Sequence, residues 1–211
     1  MEIEYLGLIV SEGEVRMDLI KVTGVTEWPT PRTKCEVHSF LGFTNFYWCF
    51  IQDFSDHARA LFGLTKKGVD WKWGPPEQEA FDKLKELITT APVLAFLDDS
   101  WMYPVEADAS DVATRATISQ KSLEDGMWHP IAFFSKSLSP VEQNYKIHDK
   151  EMLAIICALE EWRHFLEGVW HKFEIWMDQK NLEYFWISKK LNRRQARWSL
   201  YLSHFNFTLC H

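Results

Sequence analysis

Apolar and polar positions divide the chain into a strand-like beginning, a helical middle and an alternating remainder. Residues 5–10 are a short apolar run, Ser11-Glu12-Gly13 has turn chemistry, and 14–17 reads as a return strand, so 4–17 predicts a β-hairpin. Two strands alone are marginal in water, which makes 1–17 the expected edge of something larger. From residue 18 the spacing becomes helical. Residues 19–26 form a short amphipathic segment that Trp28-Pro29-Thr30-Pro31 stops, because each proline disfavours helix before it. Thr33 and Glu36 have the spacing of a capping box. Phe40, Leu41, Phe43, Phe46, Tyr47, Phe50 and Ile51 then recur at helical spacing. A further helix over 57–67 is stopped near Gly68, and Pro76 suits the first turn of the next, whose stripe is Phe81, Leu84, Leu87 and Ile88. Residues 18–91 are therefore predicted to be a compact helical unit, with Phe43, Phe46, Phe50, Phe81 and Leu84 in one core.

The period changes again after Pro92. Strand-like segments are 102–107, 113–121 and 129–137, with Gly126 in the turn between the last two. A long helix is predicted over 140–166, with Tyr145, Met152, Ile155, Ile156, Leu159, Trp162 and Leu166 as its stripe and Gly168 as its stop. Residues 172–177 read as a strand, 182–188 and 192–205 as helices, and 207–211 as a final strand. Three strands, a helix, a strand, helices and another strand make an α/β layout.

Composition narrows the picture. At 46% apolar residues over 211 positions, the chain has enough material for a packed core. No run of about 18 apolar residues predicts a membrane span, and the first residues lack the pattern of a signal peptide. Cys35, Cys49, Cys157 and Cys210 are scattered without metal-ligand or disulfide spacing, which suits a reducing compartment. A formal charge of −7 argues against a strong stand-alone nucleic-acid binder, but not against an acidic enzyme with a local basic patch. Lys189, Lys190, Arg193, Arg194 and Arg197 form such a patch, able to grip phosphates; a solvated helix face is the competing reading.

The candidate chemistry lies in carboxylates. The stretch 103–111 reads as a strand ending at Asp108, with small neighbours Ala107, Ala109 and Ser110 that let a metal or a polymer backbone approach. Taken alone, the same run serves as an ordinary turn. Glu151 lies at the edge of the buried stripe of the long helix, and Asp178 ends the strand that follows. If the two strands pair in parallel, both aspartates emerge at the sheet end where α/β sites form. Three converging carboxylates repel one another unless a cation sits between them, and Mg²⁺ is the natural occupant. Each residue taken singly reads more readily as a solvated surface acid.

Ordered motifs run the length of the chain. Phe40-Leu41-Gly42-Phe43-Thr44-Asn45-Phe46-Tyr47, Phe50-Ile51 and Thr90-Ala91-Pro92-Val93-Leu94 resemble the thumb of reverse transcriptases from gypsy-class LTR retrotransposons, with wording similar to that of fungal elements. Glu106-Ala107-Asp108-Ala109-Ser110-Asp111, Pro130-Ile131-Ala132-Phe133-Phe134-Ser135-Lys136, Lys150-Glu151-Met152-Leu153-Ala154-Ile155, Trp162-Arg163-His164-Phe165-Leu166 and Asn192-Arg193-Arg194-Gln195-Ala196-Arg197-Trp198 resemble the RNase H domain of the same polyproteins. The resemblance implies an RNase H-like mixed sheet with flanking helices over 92–211, a helical thumb or connection over 18–91 and a palm-edge hairpin remnant over 1–17. It implies Mg²⁺-dependent endonucleolytic hydrolysis of the RNA strand of RNA–DNA hybrids, with Asp108, Glu151 and Asp178 as metal-binding catalytic residues, two ions in the family, and the rest of the polyprotein as a partner. No membrane partner is implied. The competing class is a non-catalytic nucleic-acid-binding or structural remnant.

Departures from the family pattern set further expectations. The paired polymerase aspartates would lie before residue 1, and the family's fourth RNase H aspartate would lie beyond His211, so DNA synthesis is not expected and the second metal site is in doubt. Arg115 stands where the family usually has glycine, placing a long cation beside Asp108 that either pairs with a catalytic carboxylate or points to solvent. Trp48, Trp101, Trp170, Cys49 and Cys157 stand where arginine is usual, Leu19 and Leu97 where proline is, and Met177 where threonine is. Each is one C→T change away, and Gly→Arg is the complementary change. The expected source is a copy mutated by cytosine deamination, with the changes at CG dinucleotides of its coding DNA.

Overall fold

A computed structural model of the chain describes residues 2–98, 103–123, 125–177 and 191–210. They form two compact units that divide between Phe96 and Leu97.

The first unit opens with an antiparallel sheet in the order β1 (Ile3–Tyr5), β2 (Leu8–Ser11), β3 (Glu14–Met17) and β4 (Leu94–Ala95). The apolar run 5–10 is thus two strands rather than the single one predicted. Leu6 and Gly7 turn the chain back at φ +52° and +82°. A side chain at Gly7 would bring its Cβ to 2.8 Å from the Tyr47 hydroxyl, which donates to the Gly7 carbonyl. Glycine is therefore required there both for its left-handed backbone and for the close approach.

The helices of this unit are α1 (Leu19–Thr26), α2 (Lys34–Thr44), α3 (Phe54–His57), α4 (Arg59–Thr65) and α5 (Pro75–Thr89). Asp18 caps α1 by accepting from the Ile20 N–H at 2.9 Å. Thr33 Oγ1 accepts from the Glu36 N–H, but Glu36 reaches one residue past the cap, to the Arg32 N–H at 2.7 Å, so the predicted box closes one step wide. Phe40, Leu61, Phe81, Leu84 and Ile88 are fully buried, with Phe40 and Phe81 at 4.6 Å between ring centroids. Truncating a core phenylalanine such as Phe81 removes about 3–5 kcal/mol. Phe46 does not join this core and is 50% exposed. The buried stripe of α2 (Val37, Phe40, Leu41 and Thr44) continues to Tyr47 and Phe50 through a 3₁₀ helix over Asn45–Phe50, and Phe46 lies off it. Phe43 is half-buried.

The second unit is built on a mixed sheet, ordered β7 (Trp128–Ser137), β6 (Ala113–Lys121), β5 (Pro104–Ala109), β8 (Phe173–Trp176) and β9 (Phe207–Cys210). β5 pairs antiparallel with β6 and parallel with β8, and β9 continues parallel to β8. Pro104 is tolerated in a central strand because it is the first residue of β5. Val105, Ala107 and Ala109 lie opposite Ile118, Ala116 and Thr114, and this face is buried.

The helix predicted over 140–166 is instead three: α6 (Pro140–Gln143), α7 (Ile147–Glu161) and α8 (Arg163–Leu166). The Asn144 side chain donates to the Pro140 carbonyl at 2.9 Å and ends α6, and Lys146 is extended at the start of α7. The predicted stripe passes from Tyr145 to Met152, two turns on, and so runs across this break without marking it. Residues 149–159 of α7 are buried all round, as in a helix packed inside a domain, and α7 lies against β5 and β6. The last helix, α9 (Arg193–Leu202), starts with a complete box: Asn192 Oδ1 accepts from the N–H groups of Arg194 and Gln195, and Gln195 Oε1 accepts from the Asn192 N–H. None of the described helices is long and apolar enough to cross a membrane.

Candidate active site

The site is built on β5. Strand alternation puts Asp108 on the face opposite Val105 and Ala107, with Glu106 as its neighbour. The antiparallel register sets Arg115 of β6 directly across from Asp108. Arg115 Nε donates to Asp108 Oδ2 at 2.8 Å, and Nη2 donates to the same oxygen. Both side chains are a little under half exposed, at 42% and 44%. Of the two expectations for Arg115, the structure shows pairing.

Glu151 is 5% exposed, within the first turns of α7. Two anchors fix that end of the helix. Lys150, its side chain 6% exposed, donates from Nζ to Asp111 Oδ1 at 2.8 Å and so ties α7 to the loop after β5. This contact holds the Asp111 carboxyl below the usual range, through the hydrogen bond first and the lysine charge second. Asp149, also buried, accepts from Arg194 Nη2 at 2.6 Å and Gln195 Nε2 at 2.9 Å, joining α7 to α9. The Arg194 guanidinium lies 3.7 Å from the centre of the Tyr145 ring and 5.1 Å from that of Trp198.

Asp178, Lys189 and Lys190 lie outside the described residues. β8, which leads to Asp178 in the chain, runs parallel to β5 with Trp176 opposite Glu106. Arg193 and Arg197 are exposed, one turn apart on α9, whereas Arg194 is drawn inward to Asp149. Among the described residues no three His, Cys, Asp or Glu side chains are grouped to hold a metal ion. Sequence reasoning passed over Asp149, Lys150 and Asp111. The available signals were an acid in the first turn of α7, where the helix dipole favours it, and the Asn192–Gln195 capping pair that orients α9.

Residues 73–175 match the model of the RNase H-like domain found in reverse transcriptase. The chain is 37% identical over 210 residues to the Transposon Tf2-3 polyprotein of Schizosaccharomyces pombe, and equally to the Tf2-4 polyprotein. It carries the RNase H-like domain of a reverse transcriptase and is homologous to part of these retrotransposon polyproteins. The alignment takes in 99% of this chain but 16% of each polyprotein, so the chain corresponds to a small part of those relatives. The fold is similar to that of the corresponding part of foamy viral protease-reverse transcriptase. A structure of that enzyme with RNA/DNA hybrid superposes at a TM-score of 0.77 and 21% identity, covering 99% of this chain and 28% of the viral one. One with dsDNA gives 0.79 and 20%, covering 99% and 44%. The RNase H-like mixed sheet with flanking helices expected from the motifs is the fold observed. RNase H-like domains are generally metal-dependent, which bears on the carboxylates of β5 and α7.

Proposed function

We propose that the second unit is the ribonuclease part of a retrotransposon reverse transcriptase, hydrolysing the RNA strand of RNA–DNA hybrids, and that its activity is impaired. The observation that carries this reading is the placement of Asp108 near the end of central strand β5, packed by the helix that buries Glu151. Asp108, Glu151 and Asp178 offer hard oxygen donors, the chemistry that suits Mg²⁺. When bound, such ions activate water and stabilise the leaving oxygen of a phosphodiester.

The chain's own residues supply position. Lys150 on Asp111 and Arg194 on Asp149 hold the first turn of α7 and with it the backbone of Glu151. Arg193 and Arg197 face solvent and fit the role of phosphate contacts, which set register without reading sequence. In this reading 1–17 is a palm edge, 18–91 a thumb or connection and 92–211 the RNase H-like part. The remaining polyprotein and the hybrid are the partners. The impairment rests on Arg115, whose guanidinium occupies Asp108 Oδ2. The same contact favours a second reading, a nucleic-acid-binding remnant without catalysis.

A labelled RNA–DNA hybrid incubated with the purified chain and Mg²⁺ separates the two. The nuclease reading expects slow cleavage of hybrid, none of single-stranded RNA, a gain with Arg115→Gly, and loss of that gain when Asp108→Asn is added. Cleavage indifferent to Asp108 overturns it, and no cleavage with Arg115→Gly overturns it in favour of the binding remnant.

A further inference from the structure

Arg115 and Asp108 are held together by the ladder itself. They are directly opposed residues of an antiparallel pair, so the two side chains rise from the same face of the sheet. Two guanidinium nitrogens converge on one carboxylate oxygen, Oδ2. Charge-assisted contacts of this kind are the stronger class of hydrogen bond, and the planar guanidinium keeps its charge at any ordinary pH. The carboxylate to which the nuclease reading assigns a divalent cation thus already has a monovalent one, supplied by the neighbouring strand.

We propose that Arg115 is the resident cation of the Asp108 site, and that a divalent ion binds there only by displacing it. This inference rests on the reading of Asp108, Glu151 and Asp178 as metal-binding carboxylates. Displacement has two components. The ion must recover an oxygen already hydrogen-bonded, and it must approach a fixed positive charge. Because both partners are about 40% exposed, water screens the pair, and a pair of this kind is worth at most about a fivefold change in an equilibrium constant. The charge repulsion adds to that figure. The site therefore behaves as a weakened metal site with a built-in competitor, not as one destroyed.

The test uses the whole chain and Mn²⁺ as the probe, with free ion followed by electron paramagnetic resonance and heat by calorimetry. Arg115→Gln removes the charge, and Arg115→Lys keeps the charge without the fork. The expected result is binding tighter by a factor on the order of five in Arg115→Gln, little change in Arg115→Lys, and loss of the gain when Asp108→Asn is added. A second measurement needs no variant: in the native chain the Arg115 Nε–H signal in nitrogen-15 spectra loses its protection from solvent exchange with the same midpoint as Mg²⁺ binding. If native chain and Arg115→Gln bind the ion equally, and Asp108→Asn abolishes both, the metal site stands and the displacement idea falls. An Arg115 Nε–H unmoved at saturating Mg²⁺ overturns it likewise. If no binding in any variant depends on Asp108, the metal-site reading itself fails and takes this inference with it.

Discussion

The contact between Asp149 and Arg194 joins the helix bearing Glu151 to the last helix, and its removal has a calculable effect. In Arg194→Ala, among the described residues Asp149 keeps the hydrogen bond from Gln195, with His148 Nε2 4.0 Å away; in the native chain its side chain is 8% exposed. Breaking a buried ion pair from one side costs about 3–5 kcal/mol, because the other charge is left uncompensated. Arg194 itself is 29% exposed, so water reaches its side of the pair and the lower end of the range applies, about 3 kcal/mol. That is a large fraction of the total stability of a domain, about 5–15 kcal/mol. Removing both partners is expected to cost less than the sum of the single losses, since neither is then stranded. A chain of two units need not unfold in one step. The assay is therefore urea unfolding read by amide hydrogen exchange, with protection followed separately in β5, β6 and α7 and in the helices of the first unit. The expected loss is confined to the second unit. A loss under about 1 kcal/mol, in the range of an exposed pair, would refute the claim that this contact anchors α7. So would equal losses in both units.

Three further outcomes follow from local structure. Leu19 is the first residue of α1, is 73% exposed and follows Asp18 at φ −68°, ψ 127°, the extended conformation that a proline demands of its predecessor. Leu19→Pro should raise the unfolding free energy of the first unit by about 0.4–1 kcal/mol; a loss instead would show that proline does not fit there. Asp111 has its carboxyl depressed by Lys150, so this contact contributes stability above the ordinary carboxylate range that is lost as pH falls through the depressed value. Lys150→Met should remove that part of the acid-side loss, and unchanged acid unfolding curves would count against it. Burial pushes the Cys157 thiol up, leaving little thiolate at neutral pH, while Cys35 is exposed. Timed alkylation read by mass spectrometry should label Cys35 well before Cys157, and the reverse order would contradict the burial of α7.

Period and punctuation in the sequence were enough for the element types of most of the chain. The bounds of β6 were legible because turn residues stand on both sides, and burial alternates from Thr114 to Lys121. α5 was legible because Pro76 sets its start and one apolar stripe carries it to the end. The motif order around Asp108 and Glu151 was enough to name the RNase H-like fold. Other features depended on contacts between distant residues. The turn at Leu6-Gly7 and the close approach of Tyr47 are separated by about forty positions, and a hydrophobic run carries no mark of where it folds back on itself. The 3₁₀ winding over Asn45–Phe50 and the breaks that divide α6, α7 and α8 leave apolar spacing intact, because competing helical repeats agree over a single turn. Arg115 was visible as a misplaced cation, but two outcomes were open to it, solvent or carboxylate. The strand register decided between them, since it alone sets which side chain stands opposite Asp108. Arg194 read as one of several exposed basic residues; the packing of α9 against α7 turned it inward onto Asp149, and no local pattern encodes which face of a helix meets its neighbour's charge.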